Sequence, residues 1–329
     1  MTAASVVATA ARVGRHPRSV FLARRLARFG VSVFILVTAT FFMVHAIPGD
    51  PVRAALGIKA PAQVVAATTH RLGLDQPVWH QYMSYLHHIF TGHLENSLTT
   101  GLPVRQLLSQ LIPPTAELAL GAFALTIALS IPIGLLVGIG TREGKGRRLH
   151  LAFGSVTGVF LSIPDFLLGV VLVFIFAVTL HALPVAGQSR PSSYILPIVA
   201  LAAGPVALLA RIVRVETQRV LGEEYIRTAR AKRLPARIIY LRHAFPNVLT
   251  ATLTVSGLIL SSLLAGTVLV ETVFAWPGIG ADLVQSVLNK DFPIVQATAL
   301  FFGSAVLLIN LVVDIVIGMV DPSSTIRES

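Results

Sequence analysis

The chain contains no cysteine. That excludes a disulfide framework and a thiolate metal site, and a C-terminal prenylation box with them. Charge is scarce, at 12% of 329 residues against 54% hydrophobic, where a soluble domain carries roughly 25% charged. A single water-facing globule is therefore excluded. Acids are scarcer still, 15 against 26 Lys and Arg, for a net charge of +11. The surplus invites a nucleic-acid partner, but the basic residues cluster in alternate segments between apolar runs, which argues against one. No G-x-x-x-x-G-K-[ST] occurs. Gly144-Lys145-Gly146 lacks both the leading glycine spacing and the hydroxyl residue, so the chain does not hydrolyse ATP by that route. No H-E-x-x-H occurs either. His45 and His181 sit near the ends of apolar runs without a matching ligand set and read as packed or interfacial, and His87-His88 reads as surface.

What the chain has is length of apolar sequence. Several runs near 20 residues are almost free of charge, the length a bilayer core demands. We expect an all-α polytopic membrane protein with six transmembrane helices at about 29–47, 115–139, 151–180, 194–213, 249–270 and 294–320. The second is expected to open at Pro113-Pro114. The first is read as an uncleaved span rather than a signal peptide, because its run is too long for a typical h-region. Of the 26 basic residues, 20 lie in segments 1–28, 141–150, 211–248 and 321–329, and 6 lie in the others. The positive-inside rule then puts both termini and those loops in the cytoplasm, and the long segment 48–113 outside. The expected divisions are a basic N-terminal segment 1–28, a membrane domain 29–320 with a cytoplasmic loop 214–248, and a tail 321–329. The outer segment opens with Pro48-Gly-Asp-Pro51, a turn signal. It also contains Leu72-Gly-Leu-Asp-Gln-Pro77 and is mixed in composition, so short helices are expected there.

Polar residues within the spans narrow the reading. Asp165 follows Ser162-Ile-Pro164, and Asp314 lies in the last run. An aspartate near mid-bilayer costs roughly 2.5–3.5 kcal/mol, and such residues usually face the bundle interior. Two readings stand for each: part of a translocation path, or a bond between neighbouring helices. Pro164, Pro197 and Pro205 each remove a backbone hydrogen bond, which suits either a bundle with two arrangements around a path or ordinary kinked helices.

The longest basic interruption is residues 223–247, EEYIRTARAKRLPARIIYLRHAFPN. It reads as two short helices separated by Leu234-Pro235. On a helical wheel Leu221, Tyr225, Thr228 and Ala229 share one side of the first, with Glu223, Arg227 and Arg230 opposite. Pro235 suits the first turn of the second helix, and Phe245-Pro246 is expected to close the unit. Two amphipathic helices at a bundle mouth suit a groove on a partner. A basic loop that only fixes orientation is the alternative.

Tyr225-Ile-Arg-Thr-Ala-Arg-Ala-Lys232, followed by Arg242-His-Ala244, resembles the "EAA" coupling loop of ABC-importer permeases, and more narrowly the dipeptide/oligopeptide permease family, first (B-type) subunit. Arg227, Thr228 and Ala229 stand at the E-A-A positions. Where the family has Gly after the Lys, this chain has Arg233. The resemblance continues in Pro48-Gly-Asp-Pro51, Leu72-Gly-Leu-Asp75, Ser162-Ile-Pro-Asp-Phe166, Val270-Glu-Thr-Val-Phe-Ala-Trp-Pro-Gly278 and Asp321-Pro322, covering about 22–325. The family's G-D-L-G-x-S becomes Gly92-His-Leu-Glu-Asn-Ser97.

The resemblance implies a type I ABC importer permease fold in a bacterial inner membrane and a non-catalytic subunit without a cofactor of its own. ATP and Mg would sit on two partner ATPases, beside a second permease and an extracytoplasmic substrate-binding protein. It implies a coupling loop of Glu224, Tyr225, Arg227, Thr228, Ala229, Arg230, Ala231, Lys232, Arg233 and Leu234. It also implies a path near Ser162, Pro164 and Asp165, and binding-protein contacts at Asp50, Asp75, Glu271 and Trp276. Peptides are the family's default cargo, with nickel or another small solute as alternatives. A stand-alone secondary transporter would need paired midplane ionisable residues or inverted repeats, and an intramembrane enzyme would need a nucleophile–base or metal set within the spans. Neither signal is clear, and neither class needs the coupling stretch.

Overall fold

The computed structural model describes residues 17–45, 52–53, 57, 60–71, 73–92, 94–144 and 146–320. A lipid interior offers no water to backbone N–H and C=O groups, so long apolar runs must become helices. The helices are α1 Pro17–His45, α2 Ala62–Arg71, α3 Val78–Thr91, α4 Val104–Gly140, α5 Arg147–Ser162, α6 Asp165–Leu172, α7 Ile195–Gly222, α8 Glu224–Ala231, α9 Ala236–Ile238, α10 Phe245–Val273, α11 Ile279–Leu288 and α12 Phe292–Val320. The described residues contain no strand beyond an isolated bridge between Asn96 and Pro103. Among the described residues five helices are long and apolar enough to cross a membrane, six if α5 and the bent continuation Asp165–Thr179, which starts with α6, form one span.

The third span departs from the continuous run expected over 151–180. It breaks after Ser162, and the two halves meet at 98°. The cause is local. Ile163 is extended (φ −92°, ψ 121°), as the residue before a proline prefers, and α6 restarts directly after Pro164. The second span also differs. Pro113-Pro114 does not open it, because α4 starts at Val104 and runs through Pro113, Pro114 and Pro132. Pro205 likewise lies inside an unbroken α7, and Pro197 falls in its first turn, where a missing N–H costs little. α1 starts at Pro17, so Arg24, Arg25 and Arg28 of the basic segment are on the helix itself.

The core is the seam between α4, α7 and α10, where Leu118, Ala122, Leu201, Leu209, Val213, Leu221, Leu263 and Val270 are buried together. Small residues let the backbones approach. A Cβ on Gly134 would stand 2.5 Å from Val213 Cβ, and one on Gly138 would stand 2.7 Å from Thr217 Cβ. These glycines are four apart on one face of α4, so both need the same neighbour. Polar ties brace the same end of the seam. Arg211 of α7 donates through Nε to Thr157 Oγ1 (2.7 Å) and through a terminal nitrogen to Gly154 O (2.9 Å).

α1 and α12 pack against each other, with Gly303 lying under Leu36. Arg25 and Asp314 join the same pair by an ion pair of 2.6 Å. Of the two readings left for Asp314, the interhelical bond is the one in the structure. In the segment between α1 and α4, α3 docks on the end of α1, with Tyr82 OH 2.8 Å from Thr38 Oγ1 and Tyr85 OH 3.0 Å from Thr40 Oγ1.

Gly134→Val is expected to force α4 and α7 apart and destabilise the detergent-solubilised chain by about 1–3 kcal/mol. Gly154→Ala, where a Cβ meets nothing within 4 Å, is expected to stay within about 0.5 kcal/mol of wild type. Thermal unfolding in detergent reads both.

Candidate functional site

The helices alternate in direction, so residues 141–146 and 223–244 share one end of the bundle. At that end α7 stops at Gly222, and Glu223 turns the chain with an extended backbone (φ −65°, ψ 151°). α8 then lies across the bundle mouth. Ile226 and Ala229 are its buried residues, set among Leu221, Ile239 and Ala244. Glu224, Tyr225, Arg227, Thr228, Ala231, Lys232 and Arg233 are exposed, and Arg230 and Leu234 are half-buried. The wheel expected Leu221, Tyr225, Thr228 and Ala229 to form one stripe. The structure instead rotates α8 so that Ile226 enters the core and Tyr225 and Thr228 face out, because Ile226 is the strongest apolar residue on the helix. The sequence reading passed over Ile226, although its spacing to Ala229 was visible.

α8 ends in a Schellman motif. Arg233 N–H donates to Arg230 O (2.8 Å) and Leu234 N–H to Ala229 O (3.2 Å). That geometry needs a left-handed residue at Arg233, whose φ is +54°. Glycine is the usual residue there, and a side chain with a Cβ costs about 1–2 kcal/mol. The second helix does not close at Phe245-Pro246 as expected. α9 passes through a π-helical stretch, Ile239–Ala244, straight into α10. Pro246 falls in the first turn of α10, where it breaks nothing.

The opposite end carries a second constellation. Glu271, fully buried near the end of α10, accepts N–H bonds from Gly280 (2.7 Å) and Ala281 (3.0 Å) through Oε2. A carboxylate on the first N–H groups of α11 satisfies orphan donors and complements the helix dipole. Trp276, also buried, donates from Nε1 to Pro114 O (3.0 Å), and Ile279 N–H donates to Thr115 Oγ1 (2.9 Å). Tyr194 meets Trp276 edge-on at 4.7 Å and donates its hydroxyl to Glu117 Oε2 (2.7 Å). Glu271 and Trp276 were expected to meet a binding protein. Their burial corrects that expectation: they lock α11 onto α4 and α10 and offer no surface.

The turn at Ser97 is built by a residue the sequence reading missed. Asp291, buried just ahead of α12, accepts from Ser97 Oγ (2.5 Å) and from the N–H groups of Leu98 and Thr99 (3.1 Å each). An acid one residue before an apolar helix was the available signal. Asp75 is exposed, 4.0 Å from His70 Nε2. Asp50 lies outside the described residues. A cavity of about 630 Å³ lies between α1, α3 and α12 at the end of the bundle away from α8, lined by His45, Gln81, Tyr85, His88, Ser97 and Gln296 among others. Among the described residues no three His, Asp or Glu are placed to hold a metal ion.

At the break in the third span Asp165 is half-buried and opens α6, with Oδ1 accepting its neighbour Phe166 N–H at 3.0 Å. A Cβ on Gly266 of α10 would stand 3.0 Å from Asp165 Oδ2. Ser162 donates back to Gly158 O (2.9 Å). Ser162 and Pro164 are exposed.

A helical bundle with an uninterrupted α7 core, a broken third span and a short amphipathic helix across one mouth defines the class of a membrane import permease. Residues 130–326 match the family described as binding-protein-dependent transport system inner membrane component, and residues 19–103 match its N-terminal companion. The chain belongs to that family. The glutathione transport system permease protein GsiC of Pectobacterium atrosepticum is 37% identical over 92% of this chain and 98% of its own length. GsiC of Escherichia coli K12 is 35% identical over the same shares. Among solved structures, a chain titled as inward facing conformations of the MetNI methionine ABC transporter, CY5 native crystal form, has a TM-score of 0.58 at 20% identity, covering 67% of this chain and 98% of that one. That likeness shows the fold alone. The protein is thus a multi-pass inner-membrane permease subunit of a binding-protein-dependent ABC importer, a translocation component without catalysis of its own.

Arg233→Gly is expected to relieve the strained residue. The relief of about 1–2 kcal/mol is partly offset by the greater freedom of glycine in the unfolded chain. The melting temperature should not fall, and substrate-stimulated ATPase of the assembled transporter should be retained or raised. A second expectation concerns α11. Burial first, and then the charge of Asp291, raise Asp282 above its ordinary value of 3.8, while a bond from Ser286 lowers it. A raised carboxylate stabilises the fold when protonated, so its contribution is full below pH 3.8 and is lost as pH climbs through the folded value. Hydrogen exchange, corrected for its intrinsic pH dependence, should therefore show α11 better protected near pH 3.8 than at pH 7, and Asp282→Asn should flatten the difference.

Proposed function

We propose that this chain is the first permease subunit of a peptide importer, forming half of a translocation path with a second permease of like topology. The observation that carries the coupling role is the placement of α8. It is anchored by Ile226 and Ala229 and turns Tyr225, Arg227, Thr228, Ala231 and Lys232 to the outside. An exposed amphipathic helix fixed at its base suits a cleft on a partner ATPase. Both termini and α8 face the cytoplasm on the basic-residue imbalance. Two ATPases would bind the ATP and Mg, and a binding protein would dock on the outer segment near Asp50 and Asp75.

Closure of the ATPases would move α8, and the helix running from α9 into α10 would carry that motion across the membrane without a loop to absorb it. The broken third span, with Ser162, Pro164 and Asp165 at its corner, suits the lining of a path, since non-helical backbone at membrane depth is tolerated beside protein or a water-filled cavity. Peptide cargo rests on the relatives named for glutathione, itself a small peptide.

The test is a pull-down of the solubilised transporter co-expressed with its genomic neighbours, comparing wild type with a variant whose residues 227–234 are replaced by Gly and Ser. An ATPase that co-purifies with wild type and is lost from the variant supports the docking role. A wild-type chain that purifies alone and moves solute in liposomes without ATP overturns it. Uptake of radiolabelled glutathione and dipeptides against nickel then assigns the cargo.

A further inference from the structure

At the α8 end of the bundle lies a cavity of about 670 Å³ lined by Arg142, Arg147, His150, Arg214, Arg227 and Arg230. Four separate stretches deliver these residues: the 3-10 turn Arg142–Gly144, the first turn of α5, the last turns of α7, and α8. None of the described lining residues is acidic, and the rest are neutral, among them Thr141, Gln218 and Leu221. The nearest carboxylates on α7 and its cap are used elsewhere, since Glu216 and Glu223 both hold Arg219, at 2.8 and 3.5 Å.

Four of these arginines, Arg147, Arg214, Arg227 and Arg230, are little used by the protein itself. Arg147 and Arg227 make no hydrogen bond or ion pair among the described residues. Arg214 reaches Thr141 Oγ1 only through Nε, at 3.3 Å, and Arg230 reaches Leu221 O at 3.5 Å. Guanidinium groups gathered around one cavity repel one another, and an anion between them relieves that repulsion. Their planar forks favour a phosphate or carboxylate held by paired bonds.

The surroundings of the cavity favour one source of that anion. α5 starts at the rim with Arg147 and Arg148, yet Leu149 and Leu151, in the same first turns, are 42% and 58% exposed. Exposed leucines interleaved with rim arginines mark the boundary where acyl chains give way to headgroups.

We propose that this cavity binds the phosphate of an anionic phospholipid headgroup, and that the bound headgroup ties α8 to the turn between α4 and α5. The inference goes beyond the importer reading and does not depend on it, because the permease chain alone contains the whole cavity. The coupling helix would then be held by the membrane as well as by the protein, and its position would depend on lipid composition.

Native mass spectrometry of the full chain, offered equal phosphatidylglycerol and phosphatidylcholine, tests this. Retention of phosphatidylglycerol roughly tenfold above phosphatidylcholine is expected, because both carry a phosphate but the choline cation of phosphatidylcholine would be repelled by the remaining arginines and leaves that headgroup with no net charge. That preference should be lost in Arg147→Gln/Arg227→Gln and kept in Arg190→Gln, an exposed arginine at the other end. Equal retention of the two lipids by wild type overturns the proposal without reference to any variant's folding. Displacement of the lipid by millimolar inorganic phosphate would reassign the site to a soluble phosphate. Unchanged lipid preference in the double variant, with loss of ATPase co-purification instead, would assign the arginines to a protein partner.

Discussion

The close approach of α4 and α7 is the constraint on which the other contacts rest. Lipid gives no hydrophobic drive for one apolar helix to find another, so association depends on dispersion and on fit. Gly134 and Gly138 supply the fit by removing two side chains where Val213 and Thr217 must sit. Once that seam is made, α7 is held along its length, and both ends of the molecule inherit its position. At one end α7 hands the chain to α8. At the other, Tyr194 just ahead of α7 is set against Trp276 and Glu117.

The two ends are fixed by different chemistry. At the outer junction Glu271 and Asp291 are buried carboxylates whose oxygens meet backbone N–H groups of turns and helix starts. They fix loops that water would otherwise have to satisfy. At the α8 end the fixing is apolar, through Ile226 and Ala229, and the charged groups are left outward. One end is thus closed by buried polar bonds, and the other leaves its basic helix accessible.

Much of this was legible beforehand, and the failures have physical causes. Apolar runs of bilayer length predict spans because the solvent leaves no other option for the backbone, and α1, α4, α7, α10 and α12 lie where those runs do. Boundaries moved where proline was involved. Pro164 breaks its span while Pro113, Pro114, Pro132 and Pro205 do not, and nothing local distinguishes them, because what decides is how neighbouring helices meet the freed groups. The wheel for α8 failed because a short helix can rotate to bury its best residue, and that is set by the floor it lies on. Trp276 and Glu271 looked like recognition residues because polar and aromatic groups beside a span end suit surfaces equally well; their burial depends on α11 folding back, which no local pattern declares. Arg233 is the reverse case, where a departure from a glycine position marks a left-handed residue that the structure retains.

The bond between Arg25 and Asp314 has a consequence for how the protein is made. Its two halves lie in α1 and α12, nearly 290 residues apart in the chain, so the ribosome delivers them far apart in time. Until α12 emerges, Asp314 is not there for the α1 arginine to meet. When α12 arrives, its aspartate costs roughly 2.5–3.5 kcal/mol to insert alone, which its own apolar length must cover. The pairing therefore comes after insertion, as the act that fastens the newest helix to the oldest.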